Sequence, residues 1–267
     1  QRTVTLNVMN DDNADVKLWN IYDADDSYGY DVKFLSFSTT EGGNFQYAVR
    51  LDAEPLATVR IEPNITLRNG ESVISPPMLS KEPEYLVFGP ANWSAHQRFI
   101  YSSISDFIDH DVEVFEITHH VATDDAIFRQ KATQRGMLTI VNVADDDTAQ
   151  VLVESNEILT LEKGDEPQSI ELIGLATEPI FDVGIVVVTP SPFIKATHRP
   201  ISIAKTEWNN FSQTVQFQAL NGAPIGTAKI YLLPSSLDPK YNTSDSGVTI
   251  NIVVTQNENF ATIDGIP

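Results

Sequence analysis

Alternation with a period of two runs through this chain and leaves it few folds to choose from. It appears in Thr5-Leu6-Asn7-Val8, Phe45-Gln46-Tyr47-Ala48-Val49-Arg50-Leu51, Val112-Glu113-Val114-Phe115-Glu116-Ile117, Leu138-Thr139-Ile140-Val141-Asn142-Val143 and Val248-Thr249-Ile250-Asn251-Ile252-Val253-Val254. Successive side chains of an extended strand point to opposite faces, so each run sets one face against a core and the other in water. Turn clusters such as Glu41-Gly42-Gly43-Asn44, Glu162-Lys163-Gly164-Asp165 and Asn221-Gly222-Ala223-Pro224 lie between the runs. Many short strands separated in this way predict an all-β fold of antiparallel sandwiches. Helical periodicity is scarce, and Asp124 to Gln134 is read as about one helical turn.

The sequence also repeats itself. Val8-Met9-Asn10-Asp11-Asp12-Asn13-Ala14-Asp15-Val16 returns 135 residues later as Val143-Ala144-Asp145-Asp146-Asp147-Thr148-Ala149-Gln150-Val151, with a weaker copy at Val254-Thr255-Gln256-Asn257-Glu258-Asn259-Phe260. Within each interval the same landmarks follow in order. Thr40-Glu41-Gly42-Gly43 is matched to Leu161-Glu162-Lys163-Gly164, and Glu54-Pro55 to Glu178-Pro179. Asn92-Trp93 with Gln97 and Phe99 is matched to Glu207-Trp208 with Gln213, Val215 and Phe217. Internal repetition of this kind marks an array. The expected organisation is a surplus strand and junction over 1–12, one sandwich over 13–147 and a second over 148–267. Trp93 and Trp208 are expected at equivalent, largely buried positions.

Composition narrows the function. Hydrophobic residues make up 42% and charged residues 20%, as in globular chains. With 37 acidic against 17 basic residues, the net charge of −20 repels nucleic acid and anionic membranes. The absence of Cys rules out disulfides and thiolate metal sites. No apolar run approaches the roughly 20 residues of a membrane helix, so no membrane insertion is expected. Val183 to Val188, interrupted by Gly184, is read as a buried strand. The chain opens on Gln1 without a charged-then-apolar leader, as expected of a processed chain or a segment of a longer one.

Several of these landmarks together resemble the Calx-beta-like repeats of large extracellular and cell-surface proteins. They are the Glu41-Gly42 turn, Asn92-Trp93, the acidic stretch Asp106 to Asp111, the strand Ile117-Thr118-His119 and the closing Asp145-Asp146-Asp147. In the second half they are Glu162, Trp208, Gln213 and Ser236-Leu237-Asp238-Pro239-Lys240-Tyr241-Asn242. The resemblance implies two tandem immunoglobulin-like sandwiches, an extracellular or cell-surface location and, in some members, calcium at the domain ends. It implies no catalysis.

Calcium takes about six to eight oxygen ligands. The resemblance places Glu41, Asp106, Asp145, Asp146 and Asp147 as its ligands in the first domain, with Asp11 and Asp12 at the preceding junction. The second domain departs from the pattern at Gln256, Asn257 and Asn221, and no second site is expected. The acids Asp23, Asp25, Asp26 and Asp31 lack EF-hand spacing and are read as a solvated loop. Glycan acceptor sequons begin at Asn64, Asn92, Asn210 and Asn242, a number barely above chance. His119 and His120 are neighbours on one strand, face opposite sides and cannot share a metal. Neither a Gly-x-Ser-x-Gly, a His-Glu-x-x-His nor a phosphate loop occurs, and the expectation is no enzyme.

The strand around Val4, Leu6 and Val8 matches closing strands of sandwiches, yet no sandwich precedes it in this sequence. A lone strand leaves its main-chain groups unpaired. Three solutions follow: a longer array, pairing within the molecule, or addition to the sheet edge of a neighbouring copy. The last, repeated head to tail, does not close and yields a filament. The leading expectation is a structural subunit or segment of an extracellular fibre or surface assembly, partnered by copies of itself or by neighbouring repeats. The alternative is a calcium-dependent adhesion or carbohydrate-binding module.

Overall fold

The computed structural model describes residues 14–22, 27–32, 34–68, 79–132, 137–154 and 158–256. Its contacts divide into two compact units, one of Gln1–Asp106 with Asp111–Asp146 and the other of Phe107–His110 with Asp147–Pro267. The acidic stretch Asp106 to Asp111 is thus not one loop of the first unit. Its four central residues pack as part of the second, where Phe107 O accepts Glu178 N–H at 2.6 Å and Asp109 meets Lys240 at 2.7 Å. Val4, Leu6, Val8, Asp11, Asp12, Asp23, Asp25, Asp26 and Asn257 lie outside the described residues.

The first unit is built from β1 (Val16–Tyr22), β2 (Ser27–Val32), β3 (Phe34–Thr40), β4 (Asn44–Leu51), β5 (Val59–Leu67), β6 (Leu79–Glu82), β7 (Leu86–Phe88), β8 (Gln97–Ser103), β9 (Glu113–Thr123), α1 (Ala126–Ala132) and β10 (Leu138–Ala144). One sheet has the order β2-β1-β4-β8-β6 and the other β3-β10-β9-β5-β7. All pairs are antiparallel except β3 with β10. The alternation does the work expected of it. Phe45, Tyr47, Val49 and Leu51 of β4 turn inward onto Phe115 and Ile117 of β9 and Val141 and Val143 of β10, all buried. Arg50 of β4 and Glu116 of β9 turn outward.

The second unit contains β11 (Val151–Val153), β12 (Leu159–Glu162), β13 (Gln168–Leu175), β14 (Val183–Val188), β15 (Ile194–Thr197), β16 (Ile201–Ile203), β17 (Gln213–Ala219), β18 (Gly226–Ser235) and β19 (Val248–Thr255). Its sheets run β11-β13-β17-β15 and β12-β19-β18-β14-β16. Removing β2 from the first unit leaves the same two orders, strand for strand, including the parallel pair β12 with β19. The all-β sandwich reading is therefore correct. Val183 and Ile185 of β14 are buried as expected, but Val186 is 52% exposed.

Smaller devices repeat with the strands. Trp93 O accepts Leu51 N–H at 3.1 Å, and Trp208 O accepts Leu175 N–H at 2.8 Å. The two tryptophans are thus equivalent, but each is only partly buried against its core, not largely buried. Asp125 accepts Leu56 N–H at 2.7 Å and caps α1 through Ile127 N–H at 2.9 Å. Asp238 accepts Ile180 N–H at 2.8 Å and caps the 3-10 turn Pro239–Tyr241 through Lys240 N–H at 2.9 Å. Three residues beyond each aspartate, Phe128 and Tyr241 plug the core.

Candidate functional site

The turn after β3 needs a residue in the left-handed region, and Gly42 supplies it at φ +68°. That turn carries Glu41 inward, to 7% exposure, beside the end of β10. Glu41, Asp145 and Asp146 offer carboxylate oxygens within 4.8 Å of one another. Asp106 takes part differently from the expectation. Its backbone N–H donates to Glu41 Oε2 at 3.3 Å, and its carboxylate is not among the converging oxygens. Asp147 is the next residue along and the first of the second unit. Three carboxylates at this spacing repel one another, and a hard divalent cation removes that repulsion. The donor set fits calcium.

In the second unit the pairing of Glu41 with Glu162 proves one residue out of step. Glu41 N–H donates to Ala144 O, the last residue of β10; Lys163 N–H donates to Thr255 O, the last residue of β19. The parallel pairs give the same register, Thr40 with Ala144 and Glu162 with Thr255. Gly164, at φ +71°, is the counterpart of Gly42. Glu41 is therefore matched by Lys163, not by Glu162, and Asp145 by Gln256. A cation replaces the buried anion, so the second turn cannot reproduce the acidic cluster.

A second polar group borders the first core, with Tyr47 and Tyr101 buried and His119 half-buried. His119 Nδ1 lies 3.2 Å from Met137 O, and its Nε2 lies 2.6 Å from the Tyr47 hydroxyl, which is 2.7 Å from that of Tyr101. A carbonyl only accepts, so Nδ1 carries the proton and Nε2 accepts from Tyr47, whose oxygen accepts from Tyr101. Burial pulls the His119 imidazole down to about 4; the Met137 hydrogen bond opposes this and the Lys81 charge adds to it. Burial raises both tyrosines well above their ordinary range. His120 points outward, as alternation requires. The counterparts of Tyr47, Tyr101 and His119 in the second unit are Ile170, Phe217 and Leu232.

All four sequon asparagines are exposed. Asn64 sits within β5 opposite Thr118. The Asn92 amide is engaged, with Oδ1 accepting Gly89 N–H at 2.7 Å and Nδ2 donating to Val87 O at 3.1 Å. Asn210 and Asn242 stand in turns beside Trp208 and Tyr241.

No family model and no curated protein matches the chain. Among solved structures, the CBD12 segment of CALX1.2 is 12% identical at a TM-score of 0.31, covering 84% of this chain and 97% of its own. The calcium binding domain CBD12 of CALX1.1 is 16% identical at 0.32, covering 77% and 79%. The E. coli chaperone DraB is 7% identical at 0.28, covering 90% and 98%. Likenesses this low carry no argument about function. Among the described residues, no helix is long and apolar enough to cross a membrane.

Proposed function

We propose that this chain is a non-catalytic structural subunit or segment of an extracellular fibre or surface assembly, with copies linked head to tail by the strand around Val4, Leu6 and Val8. The observation behind the reading is the tandem repetition. One nine-strand plan occurs twice, each time with its own capping aspartate and tryptophan carbonyl. Each unit closes its own core, so the chain supplies repeated folded length. Electron microscopy and sedimentation of the full chain test this. Concentration-dependent end-to-end species are expected, and Leu6→Asp abolishes them. A chain that stays monomeric at every concentration overturns the reading.

A second reading, calcium-dependent adhesion, is favoured by the convergence of Glu41, Asp145 and Asp146. Calorimetric titration of the full chain with calcium is expected to show binding that Glu41→Gln weakens at least tenfold. A flat titration removes this reading.

A further inference from the structure

The two units protect their sheet edges differently. Beside β5, β7 pairs only with Val59 to Ile61, and beside β14, β16 pairs only with Val183 to Ile185. The remainders, Glu62 to Leu67 and Val186 to Val188, have no strand on that side among the described residues. In the first unit this edge is guarded where it begins, at position 63. Pro63 has no N–H, and its carbonyl accepts Lys81 Nζ at 2.6 Å. A residue in an antiparallel strand directs its N–H and C=O to the same side, and proline within a sheet is tolerated where that side is free. Position 63 therefore faces the open edge with both groups, one deleted and one capped. Glu62 adds a charge beside it.

Register identifies the counterparts. Pro63 pairs with His119 and Val187 with Leu232; Lys81 pairs with Tyr101 and Ala196 with Phe217. In the second unit Val187 thus keeps both groups directed at the open edge, Ala196 is too short to cap it, and Val186 replaces Glu62. Proteins blunt exposed edges with proline, lysine and charge. The first unit has all three devices at this place and the second has none.

We propose that the Val186–Val188 edge of the second unit is the docking site for a β-strand, and that its occupant is the segment Arg2 to Val8 of a second copy. The inference rests on the strand-donation reading above and names its acceptor. In a chain of net charge −20, residues 1–9 contain no acid, and Arg2 is their single charge. Docking there brings no like charges together on an uncharged edge. Val4, Leu6 and Val8 alternate with Thr3, Thr5 and Asn7, as a strand with one face on the core requires. The donated strand and the acceptor edge are unlike surfaces, so the contact is heterologous and directional, and copies joined by it close into a ring or run on as a filament according to the rotation between them.

The test uses full-length chains. The pair Val187→Pro with Ala196→Lys transplants the first unit's guard, and Val186→Lys, on the solvent face, is a gentler block. A labelled peptide of residues 1–9 is expected to bind the Leu6→Asp chain. Binding is expected to fall at least tenfold when either block is added, with thermal transitions retained. Mixing Leu6→Asp with a blocked chain is expected to give dimers only, whereas each alone stays monomeric. If the peptide binds blocked and unblocked chains alike, the acceptor lies elsewhere and donation survives without this inference. If Leu6→Asp assembles as the native chain does while the blocked chains do not, the occupant is wrong. A monomeric native chain that binds no peptide overturns the inference together with the donation reading.

Discussion

Acidification is expected to loosen the first unit through His119 while leaving the second without an equivalent loss. In the folded chain the neutral ring is fixed by what surrounds it, since Met137 O holds the Nδ1 proton and Tyr47 donates to Nε2. Protonating Nε2 makes it a donor. Tyr47 must then turn its own proton away from the ring, toward Tyr101 or the Thr139 hydroxyl beside it, and the hydrogen-bond chain it shares with Tyr101 beside Phe45 and Phe99 has to be rebuilt. The imidazole falls from the ordinary 6.5 to about 4. The folded form thus binds its proton less readily than the unfolded chain does. Between these values the unfolded chain carries more protons, so stability is full above pH 6.5 and declines as pH falls toward 4. The loss is about 2 kcal/mol at pH 5 and about 3 kcal/mol at pH 4. Denaturant unfolding of the full chain at pH 7.5, 6, 5 and 4, native against His119→Leu, isolates the contribution of this group. Leu is the residue the second unit uses, and the variant is expected to lack this part of the pH dependence. Parallel curves within about 0.5 kcal/mol over pH 7.5 to 5 would refute the reasoning, because every other titrating group is common to both chains.

The remaining predictions concern the other devices. Asp125→Ala and Asp238→Ala each remove a cap and the acceptor of a main-chain N–H from another loop, so each is expected to cost about 2–3 kcal/mol in its own unit by denaturant titration. Calcium is expected to raise the thermal transition of the first unit only, and Lys163→Glu with Gln256→Asp is expected to begin transferring the response to the second; scanning calorimetry with and without chelator reads both. In a secretory host, glycopeptide mapping is expected to find higher occupancy at Asn210 and Asn242 than at Asn92, whose amide already serves the Val87 and Gly89 backbone.

Period-two alternation was enough to find β4, β10 and β19 to within a residue or two, because each has a buried face and a wet one. Short edge strands such as β7 and β16 left no such trace, since three residues make no pattern. The acidic turn was legible as a group, but its register in the second unit was not. Glu162 and Lys163 are both plausible matches for Glu41, and the choice depends on which amide meets the end of the closing strand. That is a long-range fact, and a one-residue slip reverses every side chain. The His119 network was invisible for the same reason. Tyr47 lies 72 residues from its partner, and nothing near either position announces the other. Pro63 within a strand-like run is the one local sign of this edge, since proline in a sheet marks a free side.

The differences between the two copies follow a physical logic. Where the first unit places a polar or charged group, the second has an apolar or oppositely charged one: Glu41 against Lys163, His119 against Leu232, Pro63 with Lys81 against Val187 with Ala196. The first unit's groups are internally satisfied, by Asp106 N–H, by Tyr47 and by the Pro63–Lys81 contact. The second unit's core needs no such satisfaction, and at Val187 it leaves open the main-chain position that the first unit guards at Pro63. Unsatisfied main chain at an exposed edge is unstable against association in a way that an outward-facing apolar side chain is not, because the added hydrogen bonds are directional and repeat along the strand. If guarding were merely decorative, removing it from the first unit would do nothing. Pro63→Val with Lys81→Ala should instead create a second acceptor, raising the binding of the 1–9 peptide from one equivalent to two on the Leu6→Asp chain. A stoichiometry that stays at one, with the first unit still folded, would show that the bare edge is not sufficient for docking.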